Sequence, residues 1–311
     1  RVDSVAPAGV TFTVNSVVDE RGVVNLDGSF VDQGVNDRHV VDIDWGDGTS
    51  STRLDLTLNN RAFSATHSYA DDNPTATPSD MYTVRVTVSD DDTGAASAQR
   101  TLTVNNVAPS LVDVTMTAVD QDGVEIPRAA DGLLIIEEGQ TVIVDGTFTD
   151  PASDDTHEVI VGWGDGPNTV IAVEPGVRTF HAEHRFADDN PTATSSDSYT
   201  IDVSVIDDDM TETHDAVFAG GSLPAFATSQ TITVSNVVPH DVVLGFGLLS
   251  VDENDIVVLE GSFVDEGFAD TYTLLVDWGD GSDSSTLTVE PYEETYIVDE
   301  TVPVADQKTA T

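Results

Sequence analysis

Apolar and polar residues alternate along several short stretches of the chain. The alternation is longest at 82–88 and 199–205, and shorter stretches at 102–104 and 232–234 have the same period. A period of two, bounded by turn-forming Gly, Asp, Asn and Pro, predicts antiparallel strands with one buried face. Helical periodicity is absent throughout the sequence. The pattern therefore predicts an all-β protein.

These stretches belong to an internal repeat. Segments 20–48, 138–166 and 253–281 align without a gap and share Glu, then Gly-[Ser/Thr]-Phe-x-Asp, Asp-x-[His/Tyr] and Trp-Gly-Asp-Gly. Segments 67–92 and 184–209 also align without a gap, and both contain Asp-Asp-Asn-Pro-Thr-Ala-Thr. Repetition at a nearly fixed spacing indicates tandem copies of one structural unit.

Two similar linkers close the first two copies. They read Val-Asn-Asn-Val-Ala-Pro at 104–109 and Val-Ser-Asn-Val-Val-Pro at 234–239. The linkers predict three domains, which we call unit 1 (1–106), unit 2 (107–236) and unit 3 (237–311).

Three parts of the chain depart from the repeat. The sequence Val5-Ala6-Pro7 resembles the end of a linker, so we expect the chain to begin at a junction. Unit 2 has about 13 additional residues near 214–229, and unit 3 is incomplete. An unfinished sandwich leaves a sheet edge unpaired, which native proteins avoid. We therefore expect the polypeptide to continue beyond Thr311, or a neighbouring subunit to complete the sheet.

Each unit has one tryptophan at the end of an alternating segment. Units of this size with a central tryptophan fit an immunoglobulin-like β-sandwich of two sheets, and the indole is expected to anchor the core. His39 and His157 occupy the repeat position of Tyr272, which favours an aromatic packing role over zinc binding or general-base chemistry. The tryptophans are Trp45, Trp163 and Trp278, separated by 118 and 115 residues.

The ordered motifs resemble the PKD domain. Trp-Gly-Asp-Gly is followed by His-x-aromatic at 67–69 and 184–186, and then by Tyr-Thr-[Val/Ile]-x-Val-x-Val-x-Asp at 82–90 and 199–207. More narrowly, the chain resembles the PKD-like repeats of large, acidic bacterial surface and secreted proteins. Unit 3 departs from the pattern, because 302–304 replaces the His-x-aromatic motif. The resemblance implies non-enzymatic sandwiches strung in tandem as an elongated string, secreted or on the bacterial cell surface.

The charge balance excludes several classes of partner. The chain has 57 acidic and 11 basic residues, a net charge of −46 and no cysteine. Nucleic acids and anionic lipid surfaces are excluded because phosphate binding requires Lys and Arg. No apolar run is long enough for insertion into a membrane. Because the chain has no cysteine, no disulfide can stabilise the fold. Clustered carboxylates repel one another unless a cation joins them, and Ca²⁺ takes six to eight oxygen ligands.

Successive loops of such a sandwich alternate between its two ends, so the order of the loops assigns each acidic loop to one end. The near end of a unit is the end at the linker that precedes it, and the far end is the opposite one. Each junction then brings the far end of one unit to the near end of the next, with the linker between them. The resemblance supports calcium binding at the near ends. The alternation of loops adds the far-end acids as further candidate ligands. The near-end candidates are Asp32, Asp37, Asp90, Asp91 and Asp92 in unit 1, Asp150, Asp155, Asp207, Asp208 and Asp209 in unit 2, and Asp265 and Asp270 in unit 3. The far-end candidates are Glu20, Asp71 and Asp72, then Glu138, Asp188 and Asp189, and Glu253, with Asn105, Asn106 and Asn236 from the linkers.

Other interpretations of the acids stay open at this point. The Asp triplets and the Asp-Asp-Asn-Pro loops also fit solvated turns, and Glu20 and its equivalents fit structural carboxylates that bind backbone amides. The total acidity also fits solubility or adaptation to high salt. Acid-base hydrolysis by paired carboxylates requires an apolar pocket that raises one pKa, whereas these acids lie in repeated loops.

The sequence therefore predicts an extracellular structural protein that is not an enzyme. In this hypothesis calcium rigidifies a string of PKD-like sandwiches in a stalk, adhesin shaft, matrix fibre or surface filament. Its partners are further repeats of the same polypeptide or other copies in a filament. The alternative is a binding or spacer module of a secreted hydrolase or adhesin that recognises a glycan or a protein. The extra segment of unit 2, with Phe218 and Phe226, is the best candidate for such a contact.

Overall fold

The structure is a computed structural model in which almost all regular elements are strands. Glu253, Gly220, Gly221 and segment 302–311, on which parts of the sequence analysis depend, lie outside the described residues. The structure describes residues 5–72, 75–152, 154–189, 192, 194–219, 223–246, 252, 256–267, 269–279, 281–290 and 295–301.

Unit 1 is a sandwich of a three-stranded and a five-stranded sheet. Its strands are β1 (Ala8–Val14), β2 (Val17–Asp19), β3 (Val24–Val31), β4 (His39–Asp44), β5 (Thr52–Asp55), β6 (Ala62–His67), β7 (Ser79–Asp90) and β8 (Ala95–Asn105). The sheet orders are β1-β3-β6 and β2-β8-β7-β4-β5. β2 pairs with β8 in parallel, and the other pairs are antiparallel. The first two strands thus belong to different sheets, as in immunoglobulin-like topologies.

The alternating apolar residues of β7 fill the space between the sheets of unit 1. Val84, Val86 and Val88 are buried, and Trp45 joins them at the end of β4. The indole Nε1 of Trp45 donates to Thr52 Oγ1 at 2.9 Å, which satisfies its polar atom. Because side chains of a strand alternate between faces, the intervening residues of β7 face outward. The predicted core role of this tryptophan is confirmed.

Unit 2 repeats this arrangement. Its strands are β9 (Ser110–Val119), β10 (Leu134–Glu137), β11 (Thr141–Thr149), β12 (His157–Gly162), β13 (Thr169–Val173), β14 (Thr179–Arg185), β15 (Ser196–Asp207) and β16 (Ala227–Ser235). The sheet orders are β14-β11-β9 and β10-β16-β15-β12-β13, which match unit 1 strand for strand. Trp163 is fully buried in the unit 2 core.

The additional segment of unit 2 forms a short helix, α1 (His214–Phe218), which the absence of a helical period did not predict. The Thr213 side chain caps α1 by accepting from Ala216 N at 3.4 Å. Val217 and Phe218 pack with Phe226 in a small separate cluster. One turn is too short to produce a helical period, so tertiary packing and the cap specify the helix.

Unit 3 has counterparts of five of these strands among the described residues. They are β17 (His240–Phe246), β18 (Ile256–Val264), β19 (Tyr272–Val276), β20 (Ser285–Val289) and β21 (Thr295–Thr301), in sheets of order β17-β18-β21 and β19-β20. In the part of unit 3 that is described, no strand pairs with the edge of β19 that corresponds to the β7 edge of β4. Trp278 is half-buried there and lines a cavity of about 360 Å³ with Leu259 and Leu274.

Candidate metal centre

Glu20 lies at the end of β2, where unit 1 meets the linker. Its backbone N–H donates to Asn105 O at 3.0 Å, as a continuation of the β2–β8 pairing. Its carboxylate Oε1 accepts from the backbone N–H of Val107 at 3.1 Å, and the residue is 3% exposed. The carboxylate is therefore held against the linker, facing the start of unit 2.

The loop after β6 brings two further carboxylates to the same end of unit 1. Arg21 N donates to Tyr69 O at 2.8 Å, which fixes this loop beside Glu20. The Tyr82 hydroxyl donates to the backbone carbonyl of Asp71 at 3.4 Å. Asp71 and Asp72 are both buried, and Asp72 is completely shielded from solvent.

On the unit 2 side, Asp150 and Asp155 flank the turn between β11 and β12. Asp150 has partners for both oxygens: Oδ1 accepts from Ala152 N at 2.8 Å, and Oδ2 lies 3.1 Å from His157 Nε2. Asp155 is 1% exposed, and no hydrogen bond reaches either of its carboxylate oxygens. Asp150 therefore shapes the turn, whereas Asp155 is available to a ligand.

The turn after β15 contributes the triplet 207–209. The side chain of Asn106 donates through Nδ2 to Asp207 Oδ1 at 3.0 Å, and the backbone N–H of Thr77 donates to Asp209 Oδ1 at 3.1 Å. These two bonds join the linker and unit 1 directly to unit 2. Asp207 and Asp209 are both buried at this contact.

These segments assemble two overlapping carboxylate triplets at the first junction. In one, Glu20, Asp71 and Asp155 each place an oxygen within 4.8 Å of the others. In the other, Asp71, Asp72 and Asp209 do the same. Both triplets combine residues of unit 1 with a residue of unit 2, although the contributing segments are far apart in the sequence. The junction is therefore lined by acids from both units.

Several oxygens of this junction have no hydrogen-bond donor among the described residues. They are Oε2 of Glu20, both carboxylate oxygens of Asp72 and Asp155, Oδ2 of Asp207 and Oδ1 of Asn106. Within the part of the chain that is described, no Lys, Arg or His forms an ion pair with Glu20, Asp72 or Asp155. Buried carboxylates without donors or counter-ions are costly, because burial removes the hydration of their charge.

The same environment changes the acidity of these groups. Burial and then the charge of Asp155 raise the pKa of Glu20 to about 9. Burial and then the charge of Asp150 raise the pKa of Asp155 to about 8. Burial and the neighbouring charge of Asp209 raise the pKa of Asp72 to about 7. A divalent cation among these oxygens would reverse this repulsion, so the donor set fits a hard cation.

The second junction repeats part of this arrangement. The Glu138 carboxylate accepts from the backbone N–H of Val237 and is completely buried. Burial is the main cause that raises the pKa of Glu138 to about 7, although the hydrogen bond from Val237 opposes the shift. The charges of Asp270, Asp265 and Asp189 add to the rise, in that order. Burial, followed by the charge of Asp188, raises the pKa of Asp270 to about 6. The acids of units 2 and 3 thus converge as those of units 1 and 2 do.

The near end of unit 1 groups its own predicted acids. Asp32, Asp37 and Asp90 lie within 4.8 Å of one another, as do Asp37, Asp91 and Asp92. Asp32 has partners for both oxygens, since Gly34 N donates to Oδ1 at 2.6 Å and His39 Nε2 lies 3.0 Å from Oδ2. Asp90 Oδ2 is buried without a partner.

Besides Asp32 and Asp150, four further predicted ligands have hydrogen-bond partners. Asn105 Nδ2 donates to Asp19 at 3.2 Å, and Asn236 Nδ2 donates to Val237 O at 2.8 Å. Asp208 Oδ1 accepts from Thr156 N at 2.9 Å, and Asp91 Oδ1 accepts from Arg38 N at 3.2 Å.

Two features of the junctions were missed by the sequence analysis. Glu266 has a buried oxygen, Oε2, without a partner, and its Oε1 lies 3.2 Å from His240 Nε2. The repeat has Gln33 and Pro151 at this position, so the alignment gave no signal. Thr77 contributes through its backbone N–H, which no residue-type pattern reveals.

The aromatic residues of the repeat are structural. His39 packs on Phe30 at a ring-centroid distance of 4.9 Å, and Tyr272 packs on Phe263 at 4.6 Å in the same repeat position. His67 stacks on Trp45 at 4.7 Å. The predicted packing role of the histidine position is confirmed.

No helix within the described residues is long and apolar enough to cross a membrane. No protein-family model and no curated protein matches the chain. Among solved structures, the chain is similar to the PKD domain of an M14-like peptidase from Thermoplasmatales archaeon SCGC AB-540-F20, with 15% identity over 33% of this chain and 100% of that one and a TM-score of 0.29.

Two further solved structures are similar over longer stretches. Red sea bream transglutaminase is 13% identical over 76% of this chain and 32% of its own, with a TM-score of 0.26. A marsupial T cell receptor is 8% identical over 94% and 92%, with a TM-score of 0.23. These identities and TM-scores assign neither a family nor a function to the chain.

Proposed function

We propose that the junctions bind calcium and that the protein is a structural repeat protein of PKD-like units, in which the bound cations fix each unit against the next. One observation carries the proposal. Glu20 of unit 1 and Asp155 of unit 2 face each other across the junction, buried, with oxygens that no donor reaches. A solvated turn leaves its carboxylates exposed, so this burial favours a bound cation over the turn interpretation.

The chemistry of the donors favours calcium among the common cations. All candidate ligands are carboxylate or amide oxygens from separate loops. Ca²⁺ accepts six to eight such oxygens in flexible geometry, whereas Mg²⁺ demands a nearly ideal octahedron and retains water. Zinc prefers nitrogen and sulfur ligands, and the chain contains no cysteine.

The biological setting follows from the same chemistry. Extracellular calcium is abundant enough to fill modest sites, and a chain without phosphate-binding character suits the outside of the cell. We place the protein outside the cell, secreted or at the surface, as part of a stalk, adhesin shaft, fibre or filament. Its partners are then further repeats or further copies of the chain, and no catalytic role is proposed.

The alternative function, a module that recognises a glycan or a protein, has less support. Phe218 and Phe226 pack within the additional segment of unit 2 rather than projecting from it. Among the described residues, the exposed large hydrophobic side chains include no aromatic one. Sugar binding commonly uses exposed aromatic faces, so the calcium-dependent structural role is preferred.

The proposal is tested by removing the two facing carboxylates. We expect Glu20→Gln with Asp155→Asn to reduce the calcium-dependent rise in Tm of the full chain. In chelator the same variant should melt about 2–8 °C above the wild type, because the repulsion between unpartnered acids is gone. Glutamine retains an acceptor for Val107 N, so the linker contact is preserved.

Glu183→Gln serves as the matched control. Glu183 is exposed on β14, and Glu183→Gln removes one carboxylate charge outside the acidic triplets, where the double variant removes two. Its calcium-dependent change in Tm should equal that of the wild type. An unchanged calcium response in the Glu20 and Asp155 double variant would refute calcium binding at this junction.

A further inference from the structure

The first junction has more acidic oxygens than one cation can use. The two triplets contain five carboxylates, Glu20, Asp71, Asp72, Asp155 and Asp209, which together carry ten oxygens. Val107 N occupies one oxygen of Glu20, Thr77 N occupies one of Asp209, and Asp71 also interacts with another group of the protein. Asp207 Oδ2 and Asn106 Oδ1 are further buried oxygens without a donor beside them. A single Ca²⁺ is saturated by six to eight oxygens.

The charge balance leads to the same conclusion. Five carboxylates carry five negative charges when ionised, and one divalent cation would leave three of them uncompensated in a buried space. Two divalent cations would leave one negative charge uncompensated. Since Asp72 is completely buried and neither of its oxygens has a donor, an arrangement that leaves it uncompensated is costly.

The triplets also indicate where two cations would lie. Asp71 belongs to both triplets, whereas Glu20 and Asp155 belong to one and Asp72 and Asp209 to the other. A carboxylate has two oxygens and can bridge two metal ions, which in two-metal sites are about 3.5–4 Å apart. Each triplet includes a residue of unit 2, so each cation would contact both units.

We propose that the first junction is a binuclear calcium site in which the Asp71 carboxylate bridges one cation bound by Glu20 and Asp155 and a second bound by Asp72 and Asp209. This inference rests on the proposed function and deepens it. It assigns separate ligands to each ion, so the two ions can be removed separately.

The test counts calcium bound to the full chain by equilibrium dialysis and elemental analysis, at a fixed ionic strength near physiological. The Glu20→Gln and Asp155→Asn pair should bind one ion fewer than the wild type. The Asp72→Asn and Asp209→Asn pair should also bind one fewer, and all four substitutions together should bind two fewer. Glu183→Gln should bind the wild-type number.

A mononuclear junction gives a different result, since either pair and the four substitutions together would each lose the same single ion. That result, or no loss from either pair, overturns the proposal. Failure of the proposed function is distinguishable, because the wild type would then bind no calcium and gain no thermal stability from it.

A second measurement does not need the fourfold variant and covers the case in which that variant does not fold. Tb³⁺ and Eu³⁺ loaded together into the wild-type protein should show efficient energy transfer, because bridged ions are only about 4 Å apart. Either pair of substitutions should reduce that transfer, with circular dichroism as the check on folding. Transfer that is unaffected by both pairs contradicts a binuclear first junction.

Discussion

Carboxylates with a hydrogen-bond donor and carboxylates without one have different roles in this protein. Asp32, Asp47 and Asp150 each accept from a nearby amide and lie within hydrogen-bond distance of a histidine, so they shape turns within one unit. Asp72 and Asp155 accept no hydrogen bond from the described part of the chain and face the neighbouring unit. The partner of each acid, more than its position in the repeat, indicates whether it is structural or available to a cation.

Asp47 allows a prediction at the residue scale. Its Oδ2 lies 2.7 Å from Nε2 of His67, which stacks on Trp45, and its Oδ1 accepts from Thr49. Burial alone would raise the pKa of Asp47, but the bonds from Thr49 and His67 outweigh burial and lower it. The stability that Asp47 contributes is therefore present above its ordinary pKa of 3.8 and is lost as the pH falls through the lowered value.

We expect Asp47→Asn to lower the free energy of unfolding by about 1–2 kcal/mol near neutral pH, because charged hydrogen bonds are lost. The difference from the wild type should shrink below the ordinary pKa of 3.8, at about pH 3 for example, because this stability is lost as the pH falls through the lowered pKa of Asp47. Urea unfolding at both pH values measures it. Asp55→Asn, at a carboxylate 81% exposed, is the control and should change little. A difference that is independent of pH would contradict the role given to Asp47.

At the scale of elements, the turn after each tryptophan strand is specified by glycine. Gly46 has φ +84°, and a Cβ there would lie 2.7 Å from the carbonyl oxygen of Thr83 on β7. Gly164 has φ +88° and faces Thr200 O at 3.0 Å in the same way. Gly279 has φ +74°, and no atom of the described residues lies within 4 Å of such a Cβ.

These glycines predict unequal costs for one substitution. Gly46→Ala should destabilise unit 1 by about 2–4 kcal/mol, from backbone strain and overpacking together. Gly279→Ala should cost only the strain, about 1–2 kcal/mol. Hydrogen exchange of peptides from β4 and β7, compared with β19 and β20, measures the local effects. Equal losses of protection in the two units would show that contact with β7 adds nothing.

Much of the element pattern is predictable from sequence, because burial of one face imposes a period of two. The alternation at 82–88 predicted β7, and the aligned alternation at 199–205 predicted β15. β2 is three residues long and α1 is five, too short to show a period, and both depend on tertiary partners. The sequence pattern also did not predict which way the linker side chains point. Asn105 and Asn106 are adjacent, but their side chains bind different units.

At the scale of the whole molecule, the repeat explains the convergence of acids without a separate binding domain. Each unit presents acids at both ends, so a junction is formed wherever two units meet. Among the described residues, the direct hydrogen bonds across the first junction include those from Thr77 N, Asn106 Nδ2 and Val107 N. With a net charge of −46, neighbouring units repel one another. We therefore expect bound cations to hold the units in a fixed relation.

Small-angle X-ray scattering tests this central claim most directly. The full chain would be measured in calcium and in chelator at the same ionic strength, so that general screening of charge is constant. The account predicts a narrower distribution of shapes with calcium, and a wild-type-like response in Glu183→Gln but not in the Glu20 and Asp155 double variant. Identical scattering of the wild type in calcium and in chelator would contradict it.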